Sequence, residues 1–286
     1  MDIPSTKKRF LKKLRSTFSS HSNTTLQSLR DIINMSLQGK IAIVTGGSRG
    51  MGAAIATEFA KRGAEGIAIT YISSGDKAEQ VVKEIKTYGT KAIAIKADLR
   101  DPTFGESVLK AALEGLGTKH IDILVNNAAI AEYIPFDAIN DENFAKLFEA
   151  NVRGPVKLIQ AVLPVIRKGG RIVNVTSRGA RVPLSGMFIL YASTKGALDV
   201  ITKGLATEYA NDKNITVNNV MPGPVATDAL DGVPQPFLDH LASLAMAEKR
   251  LGRPDDIAQI CAFLAEEGSR WVNGDTISAS GGMDML

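Results

Sequence analysis

The chain has 286 residues and a mass of 30.5 kDa, with 44% hydrophobic residues, 22% charged residues and 26 glycines, which is enough to close a full core and excludes a disordered, collagen-like or coiled-coil chain. No uninterrupted apolar run reaches the roughly 20 residues of a membrane span, and one cysteine with three histidines offers neither an internal disulfide nor a Cys/His metal cluster, so a reducing, cytoplasmic setting and no bound metal are expected. The formal charge of +4 sits at one end: Lys7, Lys8, Arg9, Lys12, Lys13, Arg15 and Arg30 face Asp2 alone, the remainder is nearly neutral, and no nucleic-acid partner is expected.

Residues 1–36 read as a basic, Ser/Thr-rich N-terminal extension that is disordered, and residues 37–286 as one domain. Phe10, Leu11, Leu14 and Phe18 are spaced to share a helical face, and the segment resembles an organellar transit peptide, which would make the location mitochondrial. The alternatives are a basic tail, or an upstream extension preceding a start at Met35.

Beyond it, apolar runs predict strands at 41–45, 66–71, 92–96, 121–126, 171–176, 215–221 and near 276–278. Helical patterns lie between them, at 53–61, at Ala78, Val81, Val82 and Ile85, across the long stretch 141–167, and at 255–265. Strands rich in Ile, Val and Ala that alternate with helices imply a Rossmann-type, doubly wound parallel sheet of about seven strands with helices on both faces. Ligands of such sheets bind at the carboxyl ends of the strands.

At the carboxyl end of the first strand stands TGGSRGMG, residues 45–52, ahead of a helix. Gly46, Gly50 and Gly52 remove side chains where backbone must approach a pyrophosphate, and the helix start aims free N–H groups and its positive end at the anion. Thr45, Ser48, Arg49 and Met51 complete the turn. A dinucleotide is the expected ligand.

The spacing is Gly-x-x-x-Gly-x-Gly, and further segments follow in order: NNAA at 126–129, Asn151, YASTK at 191–195, PGPVAT at 222–227, RLGRPDDI at 250–257 and WVNGDTISASGG at 271–282. On these motifs the chain, from about Leu37 to its end, resembles the classical short-chain dehydrogenases/reductases. The likeness is strongest to NADP(H)-dependent ketoreductases of the 3-oxoacyl and polyketide kind, enzymes of secondary metabolism.

Tyr191 and Lys195 are four residues apart and share one face of a helix. A tyrosine with a pKa of about 10 is a poor acid near neutrality, but a neighbouring ammonium stabilises the phenolate and would lower it. Tyr191 is then the proton donor. The resemblance implies that Lys195 also binds the nicotinamide ribose and that Asn151 holds a water that passes protons to Lys195. Ser177, at the end of the fifth strand, would hydrogen-bond the substrate carbonyl oxygen; the family's commoner separation of thirteen falls on Arg178, and Thr176 is the second candidate.

By the same resemblance, Asp98 caps or contacts the adenine, Thr227 holds the nicotinamide carboxamide, Ala129 lines the nicotinamide wall, and Leu99, Asn127, Ala128, Pro222, Gly223 and Val225 are further cofactor contacts. Ala129 departs from the commoner Asn-Asn-Ala-Gly. Cofactor choice turns on the end of the second strand, where Tyr71, Ile72, Ser73 and Ser74 offer no carboxylate for the ribose hydroxyls of NAD. Arg49, with Ser73 or Ser74, would meet a 2′-phosphate. NADP(H) is the expected cofactor.

Cys261 reads as a small core residue and Trp271 as packed near the last strand. Arg178 and Arg181 read as solvated loop arginines, the other reading being contact with an anionic substrate or carrier protein. Val182, Leu184, Met187, Phe188 and Leu190 suggest an apolar pocket, in part core, for an alkyl or aromatic ketone. The activity expected is reduction of a carbonyl by NADPH; a lyase or epimerase using the same Tyr and Lys, or a non-catalytic NADPH-binding scaffold, are the alternatives. Partners are expected to be a small carbonyl substrate and copies of the chain in a homodimer or homotetramer, because Ala192, Ala197, Leu198, Val200 and Ile201 are too many small or apolar groups for one solvated helix face.

Overall fold

A computed structural model describes residues 35–182 and 186–285, and the chain divides into two units, 1–36 and 37–286. The expectations for residues 1–34 and for Leu184 lie outside the described residues. The second unit is a seven-stranded parallel sheet in the order β3-β2-β1-β4-β5-β6-β7. Its strands are β1 Ile41–Val44, β2 Gly66–Tyr71, β3 Lys91–Lys96, β4 Ile121–Asn126, β5 Ile166–Val175, β6 Thr216–Pro222 and β7 Thr276–Ala279. The helices are α1 Gly50–Lys61, α2 Gly75–Thr87, α3 Phe104–Leu116, α4 Asp141–Phe148, α5 Gly154–Val162, α6 Ile189–Lys213, α7 Gln235–Leu244 and α8 Pro254–Ala265.

Alternation along the strands builds two cores. In β1, Ala42 and Val44 pack with Ile55 and Phe59 of α1, Val82 and Ile85 of α2, and Ile257 and Cys261 of α8. Ile41 and Ile43 point the other way, to Phe104 and Val108 of α3, Leu158 and Val162 of α5, and Ala206 of α6. Because both faces are covered, the central strands can be apolar throughout. The chain runs outward from β1 to β3 and then crosses back to β4, so the segments that follow β1 and β4 turn to opposite faces of the sheet, towards α1 and α5, and leave a crevice at the strands' carboxyl ends.

The predicted helix over 141–167 is not continuous. It breaks into α4, a π-helical turn at Glu149–Arg153 and α5, and β5 starts at Ile166 instead of 171. Gly154-Pro155 is the cause: Pro155 has no N–H to return to the carbonyl of Asn151 four residues earlier, so the regular ladder cannot pass this point. In β5 the register jumps between Ile121↔Ile166 and Ile123↔Arg171, where Gly169 takes φ +80.

Three smaller expectations are corrected. Trp271 is 96% exposed and does not pack on β7. Leu198 is buried in its own subunit, since the inner face of α6 covers the sheet, whereas Val200 is 69% exposed. Arg178 is half-buried and Arg181 exposed, and neither is a free loop arginine: each is paired with a carboxylate, Asp284 and Asp199 respectively. Among the described residues no helix is long and apolar enough to cross a membrane.

Cys261 is fully buried on α8, and burial pushes its thiol up to about 12. As the single cysteine of the chain, it is expected to resist a soluble aromatic disulfide reagent in the native protein and to react in step with unfolding in urea. Rapid labelling of the native protein would contradict this packing.

Candidate active site

The glycine turn is tied to both neighbouring strands. Thr45 Oγ1 accepts the N–H groups of Asn127 and Ala128, each at 3.0 Å, and the Asn127 Nδ2 donates to the Thr45 carbonyl at 2.9 Å. From β2, the Thr70 hydroxyl accepts the Gly46 N–H at 3.1 Å, while the Thr70 carbonyl accepts the Gly47 N–H at 2.9 Å. Gly46 takes φ +66, a left-handed conformation that a side chain resists. At Gly52 the need is steric: a Cβ would lie 2.1 Å from the Gly46 carbonyl oxygen. Gly52 therefore serves close packing of α1 on the turn, not the approach of a ligand.

The first backbone bond of α1 runs from the Ala53 N–H to the Arg49 carbonyl, 3.2 Å, and no side chain caps the N–H groups before it. No acidic residue stands in its first turn. These free donors and the positive helix end face a cleft of about 380 Å³. Gly46, Ser48, Arg49, Gly50, Met51, Gly52, Tyr71, Asp98, Leu99, Asn127, Ala128, Ala129, Tyr191, Lys195 and Thr227 all line it.

Other expected cofactor residues are placed elsewhere. Thr45 is buried beneath the turn and acts as its tie. Ser73 and Ser74 stand outside the cleft lining, and Val225 is buried beside Gly252. Pro222 ends β6 inside the fold; Gly223 packs against Ser280, 3.1 Å from where its Cβ would be. Asp98 caps no helix; its Oδ1 accepts the Arg100 N–H at 2.9 Å in a turn on the cleft wall.

Arg49 is already engaged: its Nη1 donates to Asp228 Oδ2 at 3.2 Å, and Lys77 Nζ donates to the same oxygen at 3.3 Å. Lys77 first and Arg49 second hold the Asp228 carboxyl below the usual carboxylate range. Lys77 was not expected from the sequence, and no local signal marks its pairing with Asp228, because the pairing joins positions 77, 49 and 228 through the fold.

The residues present fit a dinucleotide carrying an extra phosphate. Buried Asn127 Oδ1 beside the glycine turn has no hydrogen-bond partner, which leaves an acceptor facing the lining. Two cations converge at the far end with one carboxylate between them, and no carboxylate occupies the end of β2.

At the other end, β5 delivers Ser177 and α6 delivers Tyr191 and Lys195. Ser177 lies close enough to Tyr191 to act on its phenol. The Lys195 ammonium lies 5.8 Å from the centre of the Tyr191 ring and donates to the Val175 carbonyl at 2.9 Å. Burial pushes the Tyr191 phenol up to about 12, with Ser177 opposing, and pushes Lys195 down to about 8. The expectation of a lowered Tyr191 is corrected: desolvation of the phenolate outweighs the ammonium in this site. Thr176 spends its hydroxyl on the Val220 carbonyl, which favours Ser177 over it.

Asn151 is fully buried in the π turn, where its Oδ1 accepts the Ile130 N–H and its Nδ2 donates to the Ile130 carbonyl, both at 2.8 Å. Nδ2 also donates to Thr194 Oγ1 at 3.2 Å. The amide thus clamps the wall after Ala129 to α6. Tyr133, which sequence reading missed, acts on the Tyr191 phenol; its ring lies 4.6 Å from that of Phe188, and the Ile134 N–H donates to the Met187 carbonyl at 3.0 Å. Of the apolar set, Met187 and Phe188 thus pack with the Tyr133 segment and Leu190 is core.

A buried ammonium with one hydrogen bond lowers stability. Below pH 8 Lys195 is charged in both folded and unfolded chains and the full penalty applies. Between about 8 and its ordinary value only the unfolded chain holds the proton, so stability rises with pH. Relative to Lys195→Met, the native protein is expected to gain about 2.5 kcal/mol between pH 7 and 10 in urea unfolding. A pH-independent difference between the two would contradict the buried charge.

Comparison with known proteins agrees with this geometry. The profile of a family described as enoyl-(acyl carrier protein) reductase, adh_short_C2, matches residues 46–284. The short chain dehydrogenase penD of Penicillium thymicola is 42% identical over 257 residues, covering 87% of this chain and 93% of the relative. The short chain dehydrogenase asqE of Emericella nidulans is 44% identical over 258 residues, covering 86% and 94%. Versicolorin reductase stcU of Emericella nidulans is 35% identical, covering 87% and 97%. The crystal structure of a short chain dehydrogenase from Burkholderia cenocepacia J2315 in complex with NADP superposes with a TM-score of 0.80 at 40% identity, covering 87% of this chain and all of that one. With the ordered glycine turn, the Tyr191 and Lys195 pair and these matches along one domain, the chain belongs to the short-chain dehydrogenase/reductase family of oxidoreductases.

Proposed function

We propose that the chain is an NADP(H)-dependent reductase of small or medium apolar or aromatic ketones, or of 3-oxoacyl groups. The observation that carries this reading is the Tyr191 phenol with the Lys195 ammonium 5.8 Å from its ring centre, and Ser177 close by, at one end of a dinucleotide-sized cleft. The NADP complex of the Burkholderia relative and the name of the versicolorin reductase support the cofactor and the reaction class.

Bound NADPH supplies a hydride to the carbonyl carbon. The chain's own groups serve the oxygen. Ser177 donates a hydrogen bond to it as charge develops, and Tyr191, protonated throughout the physiological range, gives up its proton there. The Lys195 ammonium offsets the phenolate left behind. Asn151 holds the wall at Ile130 with its side chain, so a proton relay through water falls to its main-chain carbonyl, whose helical partner position is Pro155. The apolar cluster of Tyr133, Met187 and Phe188 favours an alkyl or aromatic ketone.

Tyr191→Phe is expected to retain NADPH binding by fluorescence titration and to lose nearly all turnover against a panel of β-ketoacyl, polyhydroxyaromatic and sugar carbonyls. Full activity in that variant would sink the mechanism. Absence of NADPH consumption by the native protein with every class of carbonyl would sink the substrate assignment.

Arg49→Ala is expected to weaken NADPH by about 1.5–3 kcal/mol more than NADH, towards the lower end because Asp228 must first be displaced. An equal loss for the two cofactors would show that Arg49 does not read the 2′-phosphate.

The chain also assembles as a homodimer or homotetramer through the outer face of α6, where Val200 is 69% exposed. Light scattering of dilute protein is expected to give at least twice 30.5 kDa, and Val200→Glu to lower that mass. A monomeric native protein would refute it.

A further inference from the structure

We propose that Asp284, near the end of the sequence, is a positioning residue for Ser177 and makes the segment after β7 part of the active site. This rests on the role given to Ser177 above.

The turn that follows Ser177 packs against α6, but its backbone hydrogen bonds do not tie it to any other element. Gly179 N–H donates to Ser177 Oγ, Ala180 N–H to the Ser177 carbonyl, and Arg181 and Val182 N–H to the Arg178 carbonyl. Among the described residues, every backbone hydrogen bond donated from 179 to 182 therefore stays inside the turn. What reaches outward is a pair of guanidinium groups. Arg178 Nε and Nη2 donate to the two oxygens of Asp284 at 2.6 and 2.7 Å. Arg181 Nη2 donates to both oxygens of Asp199 on α6 at 3.0 and 3.1 Å.

The Arg178 pair is forked on both sides, and its side chains are only 18% and 7% exposed, so it is far less screened than a surface ion pair. Its anchor is itself fixed. The Asp284 N–H donates to Ser280 Oγ, and its carbonyl accepts from Ser278 Oγ on β7. The chain of support runs from β7 through Asp284 and Arg178 to the adjacent Ser177, and thence to the Tyr191 phenol. Arg178 is accordingly occupied in the fold and is not a receptor for an anionic substrate.

A displacement of about 1 Å in a group that binds the reacting oxygen is enough to cost on the order of 100-fold in rate. Asp284→Asn keeps shape and one acceptor but loses the charge and the fork. With 9,10-phenanthrenequinone as the carbonyl probe and NADPH as reductant, it is expected to lower kcat about 10- to 100-fold. Its KM, and the NADPH dissociation constant from fluorescence titration, should stay within about twofold of the native values. Rates are normalised to NADPH-titrated sites, so loss of folded protein does not imitate the effect. Arg178→Lys should lose the same term because an ammonium cannot fork, and Asp284→Glu should recover part of it. Unchanged kcat in Asp284→Asn, or a fall in kcat matched by weaker NADPH binding, overturns the inference. Ser177→Ala separates it from the reading beneath: activity lost there but full in Asp284→Asn removes this inference alone, whereas full activity in Ser177→Ala removes both.

Discussion

Burial of the sheet on both faces is the constraint from which the rest follows. Once α1, α2 and α8 cover one side and α3, α5 and α6 the other, no strand face is left for a ligand, and every interior backbone bond belongs to a neighbouring strand. Chemistry is confined to the strand ends. Where the chain reverses its winding, between β1 and β4, the strands stay paired but the segments that leave them go to opposite faces of the sheet. The tie from Thr45 to Asn127 and Ala128 spans that place, which is why one buried hydroxyl organises a glycine turn that it does not itself belong to on the surface.

The same confinement brings polar groups inside and obliges them to pair. Asn126 donates to Asn174 at 2.9 Å, Asn174 to Thr202 at 2.8 Å, Thr202 to Asn219 at 2.7 Å and Asn219 to Asp199 at 2.9 Å. This chain of amides and hydroxyls passes under α6 from β4 to β6 and ends on the carboxylate that holds Arg181. Asn126 Oδ1 has no partner, but the rest of this buried network is paired, and it fixes one arrangement of helix on sheet better than apolar contacts alone, since a one-residue slip would orphan several groups together. Tyr191, Lys195 and Asp199 fall at successive fourth positions of α6, so fixing Asp199 also fixes the rotation of the helix that carries the proton donor.

The parts that local rules govern were legible in the sequence. Alternating runs located all seven strands, and the glycine spacing with the Tyr191 and Lys195 pair located both ends of the cleft. The errors share a cause in distant or competing local terms. The helix over 141–167 was read through Gly154-Pro155 because apolar periodicity continued on both sides of the break. Tyr191 was expected to be lowered because the ammonium is visible in the spacing, while desolvation is a property of everything packed around it. Lys77, Tyr133 and Asp284 left no trace, because each acts through a partner remote in sequence. Of the residues carried over from the family motif, Thr227 lines the cleft, whereas Gly223 packs against Ser280.

The arginines near the cleft show what pairing does to recognition. Arg49, Arg178 and Arg181 all hold carboxylates already, yet with different exposure: Arg49 is 56% exposed and its partner 43%, against 18% and 7% for Arg178 and Asp284. A phosphate arriving at Arg49 exchanges one solvated contact for another, so a net gain of cofactor affinity remains available there. The same exchange at Arg178 would strand a nearly buried carboxylate, which costs more than a ligand contact returns. Exposure thus divides chemically identical groups into one that can read a ligand and one that can only hold the fold. The division follows position: Arg49 stands at the open end of the crevice, whereas Arg178 is enclosed between β5 and the segment that follows β7.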